Sequence, residues 1–409
     1  MCGCHSRPDG PCRIQNDVGG GSNVALLELM VVFHWALTYR LFDAGVKRLT
    51  HSSVYLSRLP DHDSKELLQN ALKDLHLIVS EIKHSLCPAF PVFRDLLRYQ
   101  FESQGKLVRP LLVTLAAACA NSHIECNSPL IVRYESPETD DVRNLAYLVS
   151  PKQHEIAKIA EMIHTASLIH DDLIDSAAVR RGKTSAYKAF GHREAVLGGD
   201  FILTHSSRLL AQIGDTGVIA VLSQVIEDLI HGEMMQLAPN SDDDDKRFQT
   251  YLTKTYRKTA SLIANSCKAV AMLTVPTLSQ WHIDNMYEFG KHLGMAFQLI
   301  DDVLDFVTDE ANLGKPTGAD LQMGLATGPV LFAAQRYPEL NAILLRQFSL
   351  DGDTERALEL VKQSDGVGQT RMLAEFHFQA AQRCLFQFRD SLSRKALLHV
   401  AANFLQRGR

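Results

Sequence analysis

An excess of charge of either sign is missing from this sequence: 42 Lys and Arg stand against 47 Asp and Glu, a formal net charge of −5 in 409 residues. That balance excludes a bulk polyanion binder or an acidic tail, so any anion site must come from local clusters of Lys and Arg. Dense cysteine is missing too. Eight cysteines (2, 4, 12, 87, 119, 126, 267 and 384) are scattered along the chain, which excludes a secreted disulfide scaffold and predicts a reduced, intracellular protein. No paired Cys or His set follows Cys2, Cys4 and Cys12 at zinc-finger spacing, so no metal is expected there. No clean apolar span stands out either: "VALLELMVVFHWALTYRLF" contains Glu28 and His34 and ends just after Arg40, and reads as an amphipathic helix. It belongs to an N-terminal extension, residues 1–60, whose Gly/Pro-rich start predicts a loop. A transit peptide should be poor in acids, and Asp9, Asp17, Glu28 and Asp43 weaken that assignment.

Strand signals are scarce as well. From about Ser64 onward, segments such as "KELLQNALKDLHLIVSEI", "HEIAKIAEMIHTASLIH" and "VIAVLSQVIEDLIHGEMMQL" repeat apolar residues at three- and four-residue steps. With 46% hydrophobic residues, several helices apolar on more than one face predict an all-α domain over residues 61–409. Two polar stretches interrupt it, 121–150 and "PNSDDDDKR" at 239–247, the second expected to be a solvated surface loop. No repeat of solenoid period is apparent.

Two carboxylate clusters stand out against this apolar background: Asp171, Asp172 and Asp175 in "HDDLID", and Asp301, Asp302 and Asp305 in "IDDVLD". Positions i and i+4 share a helix face, so each trio forms one anionic face whose members repel one another. A hard cation would remove that cost. Mg²⁺ takes oxygen ligands and is commonly shared between one or two carboxylates and substrate phosphates, so two facing trios could hold Mg²⁺ with a diphosphate between them. The bland alternative is a pair of acidic helix ends in solvent. Bases recur beside the trios: Lys106 and Arg109 in "GKLVRP", Arg180, Arg181 and Lys183 in "VRRGKTSA", Arg257 and Lys258 in "YRKTASL", Lys315 in "LGKPTGAD". Singly, each reads as surface charge. Together they suit phosphorylated substrates, with Arg forks and Lys point charges on oxygens that magnesium does not reach.

In that order, these motifs resemble the trans-isoprenyl diphosphate synthase family over residues from about 64 to the end. The remainder, including "GEMMQL", "GLATGPVLFA" and "QSDGVGQT", resembles the catalytic subunits of its animal decaprenyl-chain members. The resemblance implies a helical bundle of the isoprenoid synthase type with a central active-site cavity. The implied reaction condenses isopentenyl diphosphate head-to-tail onto an allylic diphosphate, farnesyl or geranylgeranyl, and the released diphosphate serves as base. Asp171, Asp172, Asp175, Asp301, Asp302 and Asp305 would be catalytic and ligate about three Mg²⁺ ions per site. Lys106, Arg109, His164 and Arg181 would hold isopentenyl diphosphate. Arg180, Lys258, Thr259, Gln298 and Lys315 would surround the allylic diphosphate, with Lys258 also counted as catalytic. Gln104 and Leu325 depart from the pattern, where many relatives have Gly and Lys; the Leu removes one potential diphosphate contact.

Product length is argued from the helix leading into Asp171. Where short-chain relatives carry an aromatic plug, this chain has the small residues Ala166 and Ser167, with Met162, Ile163 and Ile159 further along, roughly 10 Å of helix at 1.5 Å per residue. An open path and a long all-trans product of ubiquinone side-chain length are therefore expected. The resemblance further implies a heterotetramer with a degenerate second subunit or a homodimer, a mitochondrial location, peripheral membrane association for product release, and no nucleic-acid partner. A non-catalytic regulatory subunit of the same fold would be free to lose aspartates, and none is missing. A class I terpene cyclase would carry an Asn/Ser/Glu-type second motif in place of "DDVLD".

Overall fold

The computed structural model describes residues 62–86, 90–102, 107–124, 149–180, 182–238, 241, 243–307 and 318–406. All belong to the compact unit Pro60–Arg409. The N-terminal extension, most of the 121–150 stretch, and Lys106, Arg181 and Lys315 lie outside the described residues.

Helices α1 (His62–Ser85), α2 (Pro91–Glu102), α3 (Val108–Ile124) and α4 (Pro151–Ile174) lead into a hairpin, β1 (Val179–Arg180) with β2 (Lys183–Thr184). There follow α5 (Ala186–Phe190), α6 (His192–Ile213), α7 (Thr216–Leu237), α8 (Asp244–Thr255), a π-helical turn (Tyr256–Ala260), α9 (Ser261–Met272) and α10 (Gln280–Val307). The chain closes with α11 (Ala319–Gln322), α12 (Gly328–Arg336), α13 (Glu339–Leu345), α14 (Asp353–Gln363), α15 (Gly366–Leu385) and α16 (Leu392–Gln406). The all-α expectation holds, since among the described residues the two-residue strands are the only sheet. No helix among them is long and apolar enough to cross a membrane.

Helix α3 is central because its sequence has no polar face: everything from Pro110 to Ala120 is buried, and it packs against α4, α9, α16 and α1. Helix α4 starts at a capping box. Ser150 Oγ accepts from the Gln153 amide, the Ser150 amide donates to Gln153 Oε1 at 3.0 Å, and Pro151 occupies the first turn. The buried Gln153 also donates to the Val270 carbonyl at 2.8 Å, tying the start of α4 to α9. Helix α10 meets α9 and the π turn backbone to backbone. A Cβ at Gly290 would stand 2.7 Å from Ala264 Cα, and one at Gly294 2.5 Å from Ala260 Cα, so this seam admits only small residues.

One local expectation is corrected, and one basic segment takes a defined form. The acidic stretch at 239–247 is not wholly loop: Asp243 caps α8, and Asp244 and Asp245 form its first turn, the end of the macrodipole that favours negative charge. "VRRGKT" is a hairpin, with Gly182 at φ +74°, pinned to α2 by the Tyr99 hydroxyl donating to the Thr184 carbonyl at 2.7 Å.

Candidate active site

Both aspartate trios stand at the C-terminal ends of long helices, Asp171 and Asp172 in the last turn of α4 with Asp175 as its C-cap, and Asp301, Asp302 and Asp305 in the last turns of α10. That is the negative end of a helix dipole, and neither last turn carries a base. Burial adds to the cost. It raises the Asp171 carboxyl to about 6, against the opposing pull of the Lys258 ammonium and with the push of Glu233 and Asp175. Burial raises Asp175 and Asp302 in the same direction. Such carboxylates call for cations. Among the described residues, no three His, Cys, Asp or Glu converge into a cage for a metal ion. The donors are all carboxylate oxygens beside a cavity, which suits an ion held by one or two carboxylates with the rest of its oxygens from water and phosphate, the habit of Mg²⁺.

A cavity of about 390 Å³ joins the two helix ends. Asp171 lines it from α4, and Asp301 and Asp302 line it from α10. Arg109 and His164, expected at one diphosphate, and Arg180, Lys258, Thr259 and Gln298, expected at the other, line the same cavity. Leu168, Phe297 and Leu325 supply apolar wall.

The polar side chains are held in place by one another. Arg109 Nη1 lies 2.9 Å from His164 Nε2, and since a guanidinium only donates, Nε2 accepts and the ring proton sits on Nδ1. Thr259 Oγ1 donates to Gln298 Oε1 at 2.8 Å, Gln298 Nε2 donates to Asp302 Oδ1 at 2.9 Å, and the Tyr251 hydroxyl donates to Asp302 Oδ2 at 2.5 Å. Lys258 Nζ donates to Gln236 Oε1 at 3.1 Å and forms an ion pair with Glu233. The π turn places Lys258 and Thr259 on this wall, one extra residue being accommodated in the helix at the site.

Each trio divides in its role. Successive helix residues point about 100° apart, so Asp172 turns from the central cavity, is 2% exposed, and accepts from Arg180 Nε at 2.6 Å and Nη2 at 2.5 Å. Two residues expected at metal and at diphosphate neutralise each other. On α10, Asp302 is occupied by Tyr251 and Gln298, while Asp305 accepts from the Asp320 amide at 3.3 Å and orders the start of α11.

Three of the residues expected to set product length are closely packed. Ala166 and Met162 are 0% exposed and Ile163 is 1% exposed, because close packing fills the room a small residue leaves. Ser167 alone of the expected length-setting residues reaches the cavity, its Oγ donating to the His164 carbonyl at 2.9 Å. The α4 residues that open onto a second cavity, of about 350 Å³, are Glu161, Thr165, Leu168 and Asp172.

Sequence reasoning missed Tyr251, Lys254, Glu233 and Gln236. Burial lowers the Lys254 ammonium, against the pull of Asp302. Lys254 stands four residues before Lys258, and a helical-face count through "KTYRK" would have found it. Glu233 and Gln236 carried no spacing signal, since their partners lie on another element.

The polyprenyl synthetase family pattern matches residues 90–361. The chain is 45% identical over 345 residues to all trans-polyprenyl-diphosphate synthase PDSS1 of Mus musculus, covering 84% of this chain and 76% of that protein. It is 36% identical over 398 aligned residues to a probable mitochondrial hexaprenyl pyrophosphate synthase of Yarrowia lipolytica, covering 86% and 88%. Among solved structures, a polyprenyl synthase from Caulobacter crescentus, crystallised with calcium and isoprenyl diphosphate, superposes with a TM-score of 0.69 at 27% identity, covering 85% of this chain and 98% of the other.

Proposed function

Since this chain belongs to the polyprenyl synthetase family, we propose that its central cavity condenses isopentenyl diphosphate head-to-tail onto an allylic diphosphate to build a long all-trans polyprenyl diphosphate. The observation that carries this is the meeting of Arg109 and His164 with Arg180, Lys258, Thr259 and Gln298 beside Asp171 and Asp301 in one cavity. Two diphosphates need two sets of donors, and helices distant in sequence supply both.

Asp171 and Asp175 from α4 and Asp301 and Asp305 from α10 would hold Mg²⁺, which when bound offsets the charge developing on the departing diphosphate. Lys258 and Arg180 bind that leaving group, Arg180 exchanging its carboxylate partner Asp172 for phosphate oxygens. Thr259 and Gln298 orient it from the hydrogen-bonded row that ends at Asp302. Arg109, aimed by His164, holds isopentenyl diphosphate so that its double bond faces the allylic carbon, an alignment that replaces a chance encounter. Leu168, Phe297 and Leu325 keep water from the cation formed on ionisation. Lys106, Arg181 and Lys315 complete the two sets by family resemblance, and the tail leaves past Ser167. A ubiquinone side chain is the destination such a product suits, and a mitochondrial location accords with the Yarrowia relative's name. A homodimer, or a heterotetramer with a degenerate subunit, would cover the apolar residues Ile230, Met234 and Leu237 exposed along α7.

The test is an assay of the full chain, alone and with its candidate partner subunit, with isopentenyl and farnesyl diphosphates, sizing the dephosphorylated products. Long polyprenols that require Mg²⁺ and fall by about 10²–10³-fold in Asp171→Ala and Asp301→Ala are expected, the scale of losing one electrostatic stabiliser. No elongation under either condition would favour a regulatory subunit instead.

A further inference from the structure

The charge that matters most to Asp171 belongs to a lysine that is tied to something else. Helix α7 comes so close to the π turn that a Cβ at Gly232 would stand 2.6 Å from Lys258 Cγ and 3.2 Å from the Lys258 backbone nitrogen. The stem of Lys258 is thus laid along α7. Its ammonium is then gripped by the next residue, Glu233, in an ion pair with both side chains largely buried, and by Gln236 at 3.1 Å. One turn further back, Asp228 accepts from Ser261 Oγ at 2.5 Å and fixes the far end of the π turn to the same helix. Asp228, Gly232 and Gln236 recur every four residues, one face of α7 directed at the turn that carries Lys258.

The first aspartate trio competes for this ammonium. Asp171 lines the same cavity as Lys258, and of the charges acting on Asp171 and on Asp175, that of Lys258 is the largest. A lysine on a flexible four-carbon stem, if unclamped, is free to pair with a carboxylate of the same cavity. There it would occupy the oxygens on which a divalent cation depends. Glu233 forestalls this by holding the ammonium on the α7 side.

We propose that Glu233 is a positioning residue of the condensation site: by clamping Lys258 to the α7 wall it keeps that lysine from pairing with Asp171 and Asp175, whose carboxylates stay available to divalent cations. The proposal rests on the function proposed above and adds a residue to it.

Its test is binding of Mn²⁺ alone to the full chain, followed by the electron paramagnetic resonance of the free ion. Without diphosphate in the cell, the grip of Lys258 on substrate does not enter. Glu233→Gln, nearly isosteric and checked by thermal melting, is expected to weaken Mn²⁺ binding by about 10–100-fold, the range for outer-shell partners of metal sites. Glu233→Asp, which keeps the charge but shortens the reach, should lose less. The decisive variant is Glu233→Gln combined with Lys258→Gln: with the competing ammonium gone, Mn²⁺ affinity should return to that of the unsubstituted chain. Unchanged affinity in Glu233→Gln, or a double variant as weak as the single, would overturn the proposal. Asp171→Asn serves as the control for the site: if the unsubstituted chain binds no Mn²⁺, or binds it equally with Asp171→Asn, the metal site itself is wrong and the role of Glu233 falls with it.

Discussion

At the scale of single residues, neighbouring side chains of one motif take unlike tasks. Asp171 faces the cavity and Asp172 faces Arg180 because the backbone turns them apart, although both belong to one acidic run. The same division governs product length. Ser167 borders the cavity, so Ser167→Phe should plug it and shorten the product with little change in melting temperature. Ala166 is sealed in packing, so Ala166→Phe should cost about 1–3 kcal/mol of stability through overpacking. Product sizing and thermal melting of both variants check this pair. Shorter products from Ala166→Phe at unchanged stability would mean that the packing around it yields to a large side chain.

At the scale of elements, the approach of α10 to the π turn sets the site. Gly290 and Gly294 let α10 lie against Ala264 and Ala260, and one turn beyond Gly294 the side chain of Gln298 reaches Thr259. Gly294→Ala would set a Cβ against the Ala260 Cα and must shift one backbone or the other. A loss of about 1–3 kcal/mol is expected, together with reduced turnover, because Gln298, Asp301 and Asp302 move with the helix. Combining it with Ala260→Gly should recover part of the stability in denaturant titrations, whereas additive losses would show that the two positions do not meet. Helical periodicity announced both helices but was silent on their distance, since a glycine in a helix has the same spacing whether it faces solvent or another backbone.

At the scale of the whole molecule, α10 and α15 are bound by a histidine pair, the half-buried His292 and the buried His377, their Nδ1 atoms 2.8 Å apart. Burial holds both imidazoles well below their usual range, with the Lys291 charge acting on each in the same sense. The unfolded chain therefore takes up protons that the folded chain refuses once the pH drops below about 6.5, where an ordinary histidine titrates. Stability should fall with falling pH from there by about 1.4 kcal/mol per pH unit for each histidine. In His292→Leu with His377→Leu, the plot of unfolding free energy against pH between about 6.5 and 5 should be flatter than in the unsubstituted protein. Parallel plots would show that other groups set the acid limit.

Apolar spacing made the all-α class legible in the sequence, because helix formation is a local event written at three- and four-residue steps. The two aspartate trios and most of their basic companions were legible too, since their clustering is short-range and their chemistry belongs to the side chains themselves. Which carboxylates face the cavity, which bases are already paired, and that α7 supplies Glu233 and Gln236 were decided by the tertiary structure alone. Direction around a helix, close packing and burial depend on neighbours hundreds of residues away or on another helix, and no spacing within one segment records them.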